Sequence, residues 1–174
     1  QGISYAPMQR QTLELALKNQ LLVITGGPGT GKTTSIRAIL AMFDEIGIKT
    51  LLCAPTGRAA KRMTELTGRD AATVHRMLGA KFDEDNDRVV FTKDESDRLD
   101  CDAVILDECS MVDICLMDAL LRALPPDARL IMVGDADQLP SVGPGNVFSA
   151  LIRSQVVATV RLTEIFRQTG DSRI

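Results

Sequence analysis

A glycine-rich segment that ends in a lysine and a threonine carries the clearest chemistry in this sequence. Residues 26–33 read Gly-Gly-Pro-Gly-Thr-Gly-Lys-Thr, which fits the pattern G-x-x-x-x-G-K-[ST]. An apolar run at 21–25 leads into the segment, and apolar residues at helical spacing continue over 33–46. Glycines let the backbone N–H groups of such a loop point at phosphate oxygens, and the positive end of the helix dipole faces the same anion. The segment therefore predicts a phosphate-binding loop between a strand and a helix.

The phosphate-binding loop predicts a site for a nucleoside triphosphate and Mg²⁺. Lys32 would reach the β- and γ-phosphates, and the hydroxyl of Thr33 would bind the metal. The predicted nucleotide contacts are the loop and the first residues of the helix: Gly26, Gly27, Pro28, Gly29, Thr30, Gly31, Lys32, Thr33 and Thr34. A chance glycine-rich turn is the alternative, and it is disfavoured because strand, helix and complete motif occur together.

Two adjacent acids, Asp107 and Glu108, follow another apolar run at 103–106. Asp107 would hold Mg²⁺ through its water shell, and Glu108 would orient or deprotonate the water that attacks the phosphate. A solvated strand end is the alternative interpretation. The phosphate-binding loop in the same chain favours the catalytic one.

Gln138 stands in a polar loop that follows the apolar run at 129–133. Ligands of open α/β sheets bind outside the carboxyl ends of the strands, so this loop should face the same crevice. We therefore expect Gln138 to sense the γ-phosphate or the attacking water. A role in capping the loop is the alternative.

Apolar runs that alternate with amphipathic stretches predict the α/β fold that positions these residues. Strands are expected at 21–25, 50–53, 103–106, 129–133 and 156–161, and helices at about 8–18, 33–46, 60–66 and 113–124. The strands show little polar alternation, which is typical of a parallel sheet covered on both faces. Residues 81–100 interrupt the pattern, and an inserted β-hairpin and a solvated surface loop are both compatible with them.

Composition and charge limit the class of protein. The 174 residues are 45% hydrophobic and 25% charged, which indicates one globular domain and excludes a disordered chain, a collagen-like fibre and a disulfide scaffold. Four cysteines without a C-x-x-C pair, and a single histidine, disfavour a zinc site and favour free thiols. No apolar run approaches the ~20 residues that span a bilayer, so no membrane partner is expected.

The net charge of −3 conceals an uneven distribution. Residues 57–76 contain five basic and two acidic residues, whereas residues 82–102 contain nine acidic and three basic ones. The basic segment keeps a nucleic-acid partner open despite the overall negative charge.

In this order, the motifs resemble the first RecA-like motor domain of superfamily 1 DNA helicases, in the RecD-like, 5′-to-3′ branch. The resemblance covers nearly the whole chain and implies a P-loop NTPase fold that binds ATP. It also implies a sheet in which the strand ending at Val133 lies between the strand before the phosphate-binding loop and the strand before Asp107. Residues 107–111 are similar to the DEAD-like box of the family, with Cys109 where alanine is more usual.

Further nucleotide contacts follow only from the resemblance. Residues 8–10 look like the adenine-reading glutamine motif, which implies that Gln9 contacts the base. Residues 162–168 look like the motif whose arginine, here Arg167, contacts the γ-phosphate. Phe166 would then lie near the adenine.

DNA contacts are implied in the same way. Residues 54–62 look like the segment that grips the backbone of single-stranded DNA, and residues 73–76 look like a threonine–histidine motif near DNA. The implied contacts are Pro55, Thr56, Arg58, Lys61, Arg62, Thr73 and His75. A solvated basic helix face and a core histidine are the alternatives. The insertion at 81–100 would be a pin that separates the DNA strands.

The resemblance implies an ATP-dependent DNA helicase that acts in recombination and repair in the cytoplasm. Its partners would be single-stranded DNA, a second RecA-like domain of the same protein and the other subunits of an exonuclease V complex. Because the chain ends seven residues after Arg167, we expect a fragment without the second half. A conjugative relaxase-helicase and a P-loop switch that gates a protein partner remain alternatives, whereas a GTPase is disfavoured because no N-K-x-D occurs.

Overall fold

Six parallel strands form the central sheet in the computed structural model, which describes residues 7–139 and 142–163. The strands in chain order are Leu21–Gly26 (β1), Thr50–Ala54 (β2), Ala71–Thr73 (β3), Ala80–Asp83 (β4), Arg88–Phe91 (β5), Ala103–Leu106 (β6), Arg129–Gly134 (β7) and Ala158–Leu162 (β8). Strands β4 and β5 form a separate antiparallel pair. The predicted α/β fold is confirmed.

The sheet order is β3-β2-β6-β7-β1-β8. Strand β7 therefore lies between β1 and β6, which is the order that the resemblance implied. All five predicted strands are present, although the last begins two residues later than expected. The sixth strand, β3, was not predicted because three half-buried residues are too short to show a period.

The helices are Pro7–Lys18 (α1), Lys32–Glu45 (α2), Gly57–Thr67 (α3), Val74–Met77 (α4), Ile114–Ala123 (α5) and Val147–Ser154 (α6), with a 3₁₀ turn at Cys109–Met111. Helices α4 and α6 were missed by the sequence analysis. Within residues 7–139 and 142–163, no helix is long and apolar enough to cross a membrane.

Both faces of β1 are buried, which explains its uninterrupted apolar sequence. Leu22 and Ile24 point to one face of the sheet and pack in a cluster with Phe43 of α2. Val23 points to the opposite face, where Leu120 of α5 and Phe148 of α6 belong to its cluster. Because neighbouring residues of a strand face opposite sides, the residues at 21–24 all pack against apolar side chains. This packing on both faces positions the carboxyl end of β1.

The insertion contains a β-hairpin, as one of the two interpretations predicted. Its strands β4 and β5 pair over residues 80–91, and the hairpin exposes Phe82 and its cross-strand neighbour Val89 to solvent. Residues 92–100 form turns and a loop instead of further strand. An ion pair between Arg122 of α5 and Glu95 ties this loop to the domain.

Candidate active site

A cleft of about 440 Å³ lies where the carboxyl ends of β1, β6 and β7 meet. The residues predicted from three separate motifs line it together: Lys32 and Thr33, Asp107 and Glu108, and Gln138. The parallel topology explains this convergence, because it brings the ends of neighbouring strands to one edge of the sheet.

The phosphate-binding loop leaves the start of α2 open to an anion. Gly31 stands before the first residue of α2 with a φ of 96°, a conformation that favours glycine, and no side chain caps the helix there. Gly26 has no room for a side chain, since a Cβ would lie 2.4 Å from Oγ1 of Thr30. The uncapped N–H groups and the close-packed glycine backbone fit the phosphates of a nucleotide.

The ammonium group of Lys32 is held inside this loop. Its Nζ donates to the carbonyl oxygens of Gly26, at 2.5 Å, and Gly27, at 2.9 Å. The hydroxyl of Thr30 also donates to Gly27 O, at 2.7 Å. These bonds place a positive charge at the cleft before any anion is bound.

The acidic pair follows directly after β6. Glu108 has a φ of 52°, in the left-handed region that few residues other than glycine adopt, and its N–H donates to Oδ1 of Asp107 at 2.8 Å. Burial raises the pKa of Asp107, while the Glu108 N–H and the charges of Lys32 and Arg62 partly offset this increase. A bound divalent cation would compensate the same buried charge.

The oxygen ligands near Asp107 are too few for a metal site made only of protein side chains, but they suit Mg²⁺. In the part of the chain that the structure describes, no three His, Cys, Asp or Glu side chains come together as metal ligands. Mg²⁺ usually takes one or two protein oxygens and completes its shell with phosphates and water. The hydroxyl of Thr33 and the carboxylate of Asp107, both in the cleft, provide that number.

The loop after β7 forms the remaining wall. Asp135 is only 6% exposed, its Oδ1 accepts the Asp137 N–H, and its carbonyl accepts the Gln138 N–H at 3.2 Å. Oε1 of Gln138 lies 3.5 Å from Oγ of Ser110, which belongs to the turn after the acidic pair. Asp135 was missed by the sequence analysis, although an acid directly after a buried strand was the signal that found Asp107.

Gly134 allows the end of β7 to lie close to α6 and to the turn after the acidic pair. A Cβ on Gly134 would lie 3.1 Å from the Phe148 ring and 3.3 Å from the backbone nitrogen of Cys109. The Cys109 thiol itself is buried and donates to Leu106 O, and burial raises its pKa. The cysteines are free, as predicted, and Cys115 is the exposed one.

A second groove gathers several of the predicted DNA contacts. Pro55, Thr56 and His75 line it together with Phe91 of the hairpin. The His75 and Phe91 rings pack with their centroids 5.8 Å apart. Thr56 also caps α3, because its hydroxyl accepts the Ala59 N–H.

The remaining predicted DNA contacts lie on two helices. Thr73 caps α4 by accepting the Arg76 N–H, and Arg58 and Lys61 are exposed on α3. Arg62, the third predicted DNA contact on α3, is also exposed, and its side chain lines the nucleotide cleft.

Comparison with known proteins identifies the family. Residues 9–144 match the family model described as an AAA domain. The chain belongs to the AAA domain family. This AAA domain is 42% identical over 166 residues to the ATP-dependent RecD2 DNA helicase of Deinococcus radiodurans. The match covers 95% of this chain and 22% of that relative. It is 40% identical over 167 residues to the RecBCD enzyme subunit RecD of Mycobacterium tuberculosis. This match covers 83% of the chain and 28% of that relative.

A solved structure supports the same assignment. The crystal structure of Pif1 helicase from Candida albicans matches the AAA domain with a TM-score of 0.65 at 27% identity, over 98% of this chain and 42% of that one. The resemblance to RecD-like superfamily 1 helicases is therefore confirmed. The chain spans about a quarter of the length of the two curated relatives.

Four of the predicted nucleotide contacts that the structure describes are absent from the cleft lining: Gln9, Gly26, Gly27 and Thr30. Gln9 is half-buried on α1. Phe166 and Arg167 lie outside the described residues. Conversely, Ala59, Met63 and Leu66 of α3 line the cleft without having been predicted there.

Proposed function

We propose that this chain is the ATP-binding and hydrolysing motor domain of a RecD-like, 5′-to-3′ DNA helicase. The observation that carries the proposal is the convergence of Lys32, Thr33, Asp107, Glu108 and Gln138 on one cleft. The names of the relatives, an ATP-dependent DNA helicase and a subunit of the RecBCD enzyme, support the same function.

Different residues of the cleft bind the phosphates, hold the metal and activate the attacking water. Lys32 and the N–H groups at the start of α2 bind the phosphates, and Thr33 and Asp107 would hold Mg²⁺. Bound Mg²⁺ supplies positive charge to the β- and γ-phosphates. Glu108 orients the attacking water or takes its proton, and Gln138 contacts the same water or the γ-phosphate.

The remaining nucleotide contacts are proposed from the resemblance to RecD-like helicases. Gln9 and Phe166 would bind the adenine, and Arg167 would contact the γ-phosphate. A second RecA-like domain would close over the nucleotide and exclude water from the reacting phosphate.

Single-stranded DNA would follow the second groove, where Pro55, Thr56 and His75 meet the hairpin. Contacts from Arg58 and Lys61 would go to the DNA backbone and would not read sequence. The hairpin at 80–91 would act as the strand-separating pin, and its exposed Phe82 would face the DNA. The other subunits of an exonuclease V complex are proposed partners on the evidence of the RecD relatives.

The variant Glu108→Gln tests this assignment in a longer protein that contains the chain. Glutamine keeps the shape of the side chain but cannot accept the proton, so nucleotide affinity should persist while hydrolysis falls by about 10² or more. Phosphate release and calorimetric binding of a slowly hydrolysed ATP analogue measure the two quantities. Glu45→Gln, at an exposed position at the end of α2, is the matched control. Undiminished hydrolysis in Glu108→Gln would remove this residue from the mechanism.

A further inference from the structure

The exposed side chain of Arg62 lines the nucleotide cleft and makes no hydrogen bond or ion pair with another described residue. Its side chain lines the same cleft as Lys32 and Glu108. Over residues 7–139 and 142–163, no hydrogen bond or ion pair holds this guanidinium, whereas Arg69 and Arg122 each pair with a carboxylate. An arginine that is kept in a cleft without a partner is available to an anionic ligand.

Helix α3 fixes the backbone of Arg62 at this position. The Thr56 side chain caps the start of the helix, and Gly68 ends it in the left-handed conformation. Met63, the next residue after Arg62, is 3% exposed and packs in the core beside the sheet. These contacts position the backbone of Arg62 beside the cleft.

Arg62 lies at the end of the cleft where hydrolysis would take place. Its charge acts on Asp107, which places the guanidinium near the acidic pair. Glu108 and Gln138, which would position the attacking water, line this same cleft. The terminal phosphate, rather than the base, is the part of a nucleotide that these groups address.

We propose that Arg62 binds the terminal phosphate of a nucleoside triphosphate from the α3 side of the cleft. The inference rests on the proposed function and adds a phosphate contact that distinguishes a triphosphate from a diphosphate. The planar guanidinium can donate two parallel hydrogen bonds to one phosphate, which a lysine cannot do. Because a diphosphate lacks the terminal group, Arg62 contributes nothing to its binding.

Titration calorimetry on this chain with Mg²⁺ tests the proposal. The probes are ADP and a slowly hydrolysed ATP analogue, and the variants are Arg62→Ala and Arg62→Lys. We expect Arg62→Ala to weaken binding of the triphosphate about 10-fold or more, as charge-assisted hydrogen bonds to phosphate do, and to change ADP affinity less than about twofold. Arg62→Lys should recover part of the loss.

Arg37→Ala is the matched control, because Arg37 is exposed on α2 and does not line the cleft. It should change neither affinity. An equal loss of both nucleotides in Arg62→Ala, or no loss at all, would overturn the role of Arg62 while the proposed function stands. A wild-type chain that binds neither nucleotide would overturn the proposed function itself, and the inference with it.

Discussion

Replacement of Lys32 by alanine tests the nucleotide site through a single positive charge. The ammonium group has three N–H donors, and the carbonyls of Gly26 and Gly27 accept two of them. One donor is therefore left for a phosphate oxygen. A hydrogen bond to a charged group contributes about 1.5–3 kcal/mol, so Lys32→Ala should weaken binding of a slowly hydrolysed ATP analogue roughly 10- to 150-fold.

The fold should survive this replacement. Lys32 is the first residue of α2, its side chain is half-exposed, and alanine is a good helix former. We expect calorimetry to show the loss of affinity and thermal melts to shift by only a few degrees. Lys18→Ala is the control, because the Lys18 side chain is 72% exposed at the end of α1. Unchanged affinity in Lys32→Ala would refute the assignment of the phosphate-binding loop.

Two further predictions concern stability and DNA. Burial raises the pKa of Asp107 above its unfolded value, so the charged form destabilises the metal-free fold once the pH exceeds both values. Without Mg²⁺ at pH 7, Asp107→Asn should therefore melt a few degrees higher than wild type, with the difference closing in acid; a lower melting temperature at pH 7 would contradict this account. Binding to single-stranded DNA should weaken with salt, and the slope of log binding constant against log salt concentration should become shallower by roughly 0.7 for each phosphate contact that is lost when Arg58 and Lys61 are replaced together. An unchanged slope would show that the two residues do not contact the DNA.

The residues that approach the phosphates could be predicted from the sequence because their motifs are local. The phosphate-binding loop needs only a strand, eight residues and a helix, and the acidic pair needs only a buried strand before it. Parallel topology then brings Lys32, Glu108 and Gln138 to one edge of the sheet, so three local patterns were enough to predict one cleft.

The position of Arg62 could not be predicted in the same way. Adjacent residues on a helix point about 100° apart, so Lys61 and Arg62 can face different surfaces although both are basic. Which surface each one faces depends on how α3 packs on the sheet through Met63, and composition does not encode that rotation. The left-handed backbone conformation of Glu108 could not be predicted either, because glycine is the residue type that normally indicates a positive φ.

The elements that were missed are short or have a weak apolar pattern. Strand β3 has three residues, and the pattern of α6 is carried mainly by Phe148 and Ile152. The hairpin could be predicted only as one of two possibilities, because β4 and β5 are too exposed to alternate clearly between apolar and polar residues.

Single-strand DNA-stimulated ATP hydrolysis tests most directly whether this chain is one half of a motor. The measurement compares the chain alone with a longer protein in which it is joined to a second RecA-like domain. A single arginine finger contributes about 10³–10⁵ in rate, so without charge supplied from across the cleft we expect the chain alone to be slower by about 10³ or more. The longer protein should respond to single-stranded DNA and lose its activity in Lys32→Ala. A chain that by itself matched the DNA-stimulated rate of the longer protein would contradict the account.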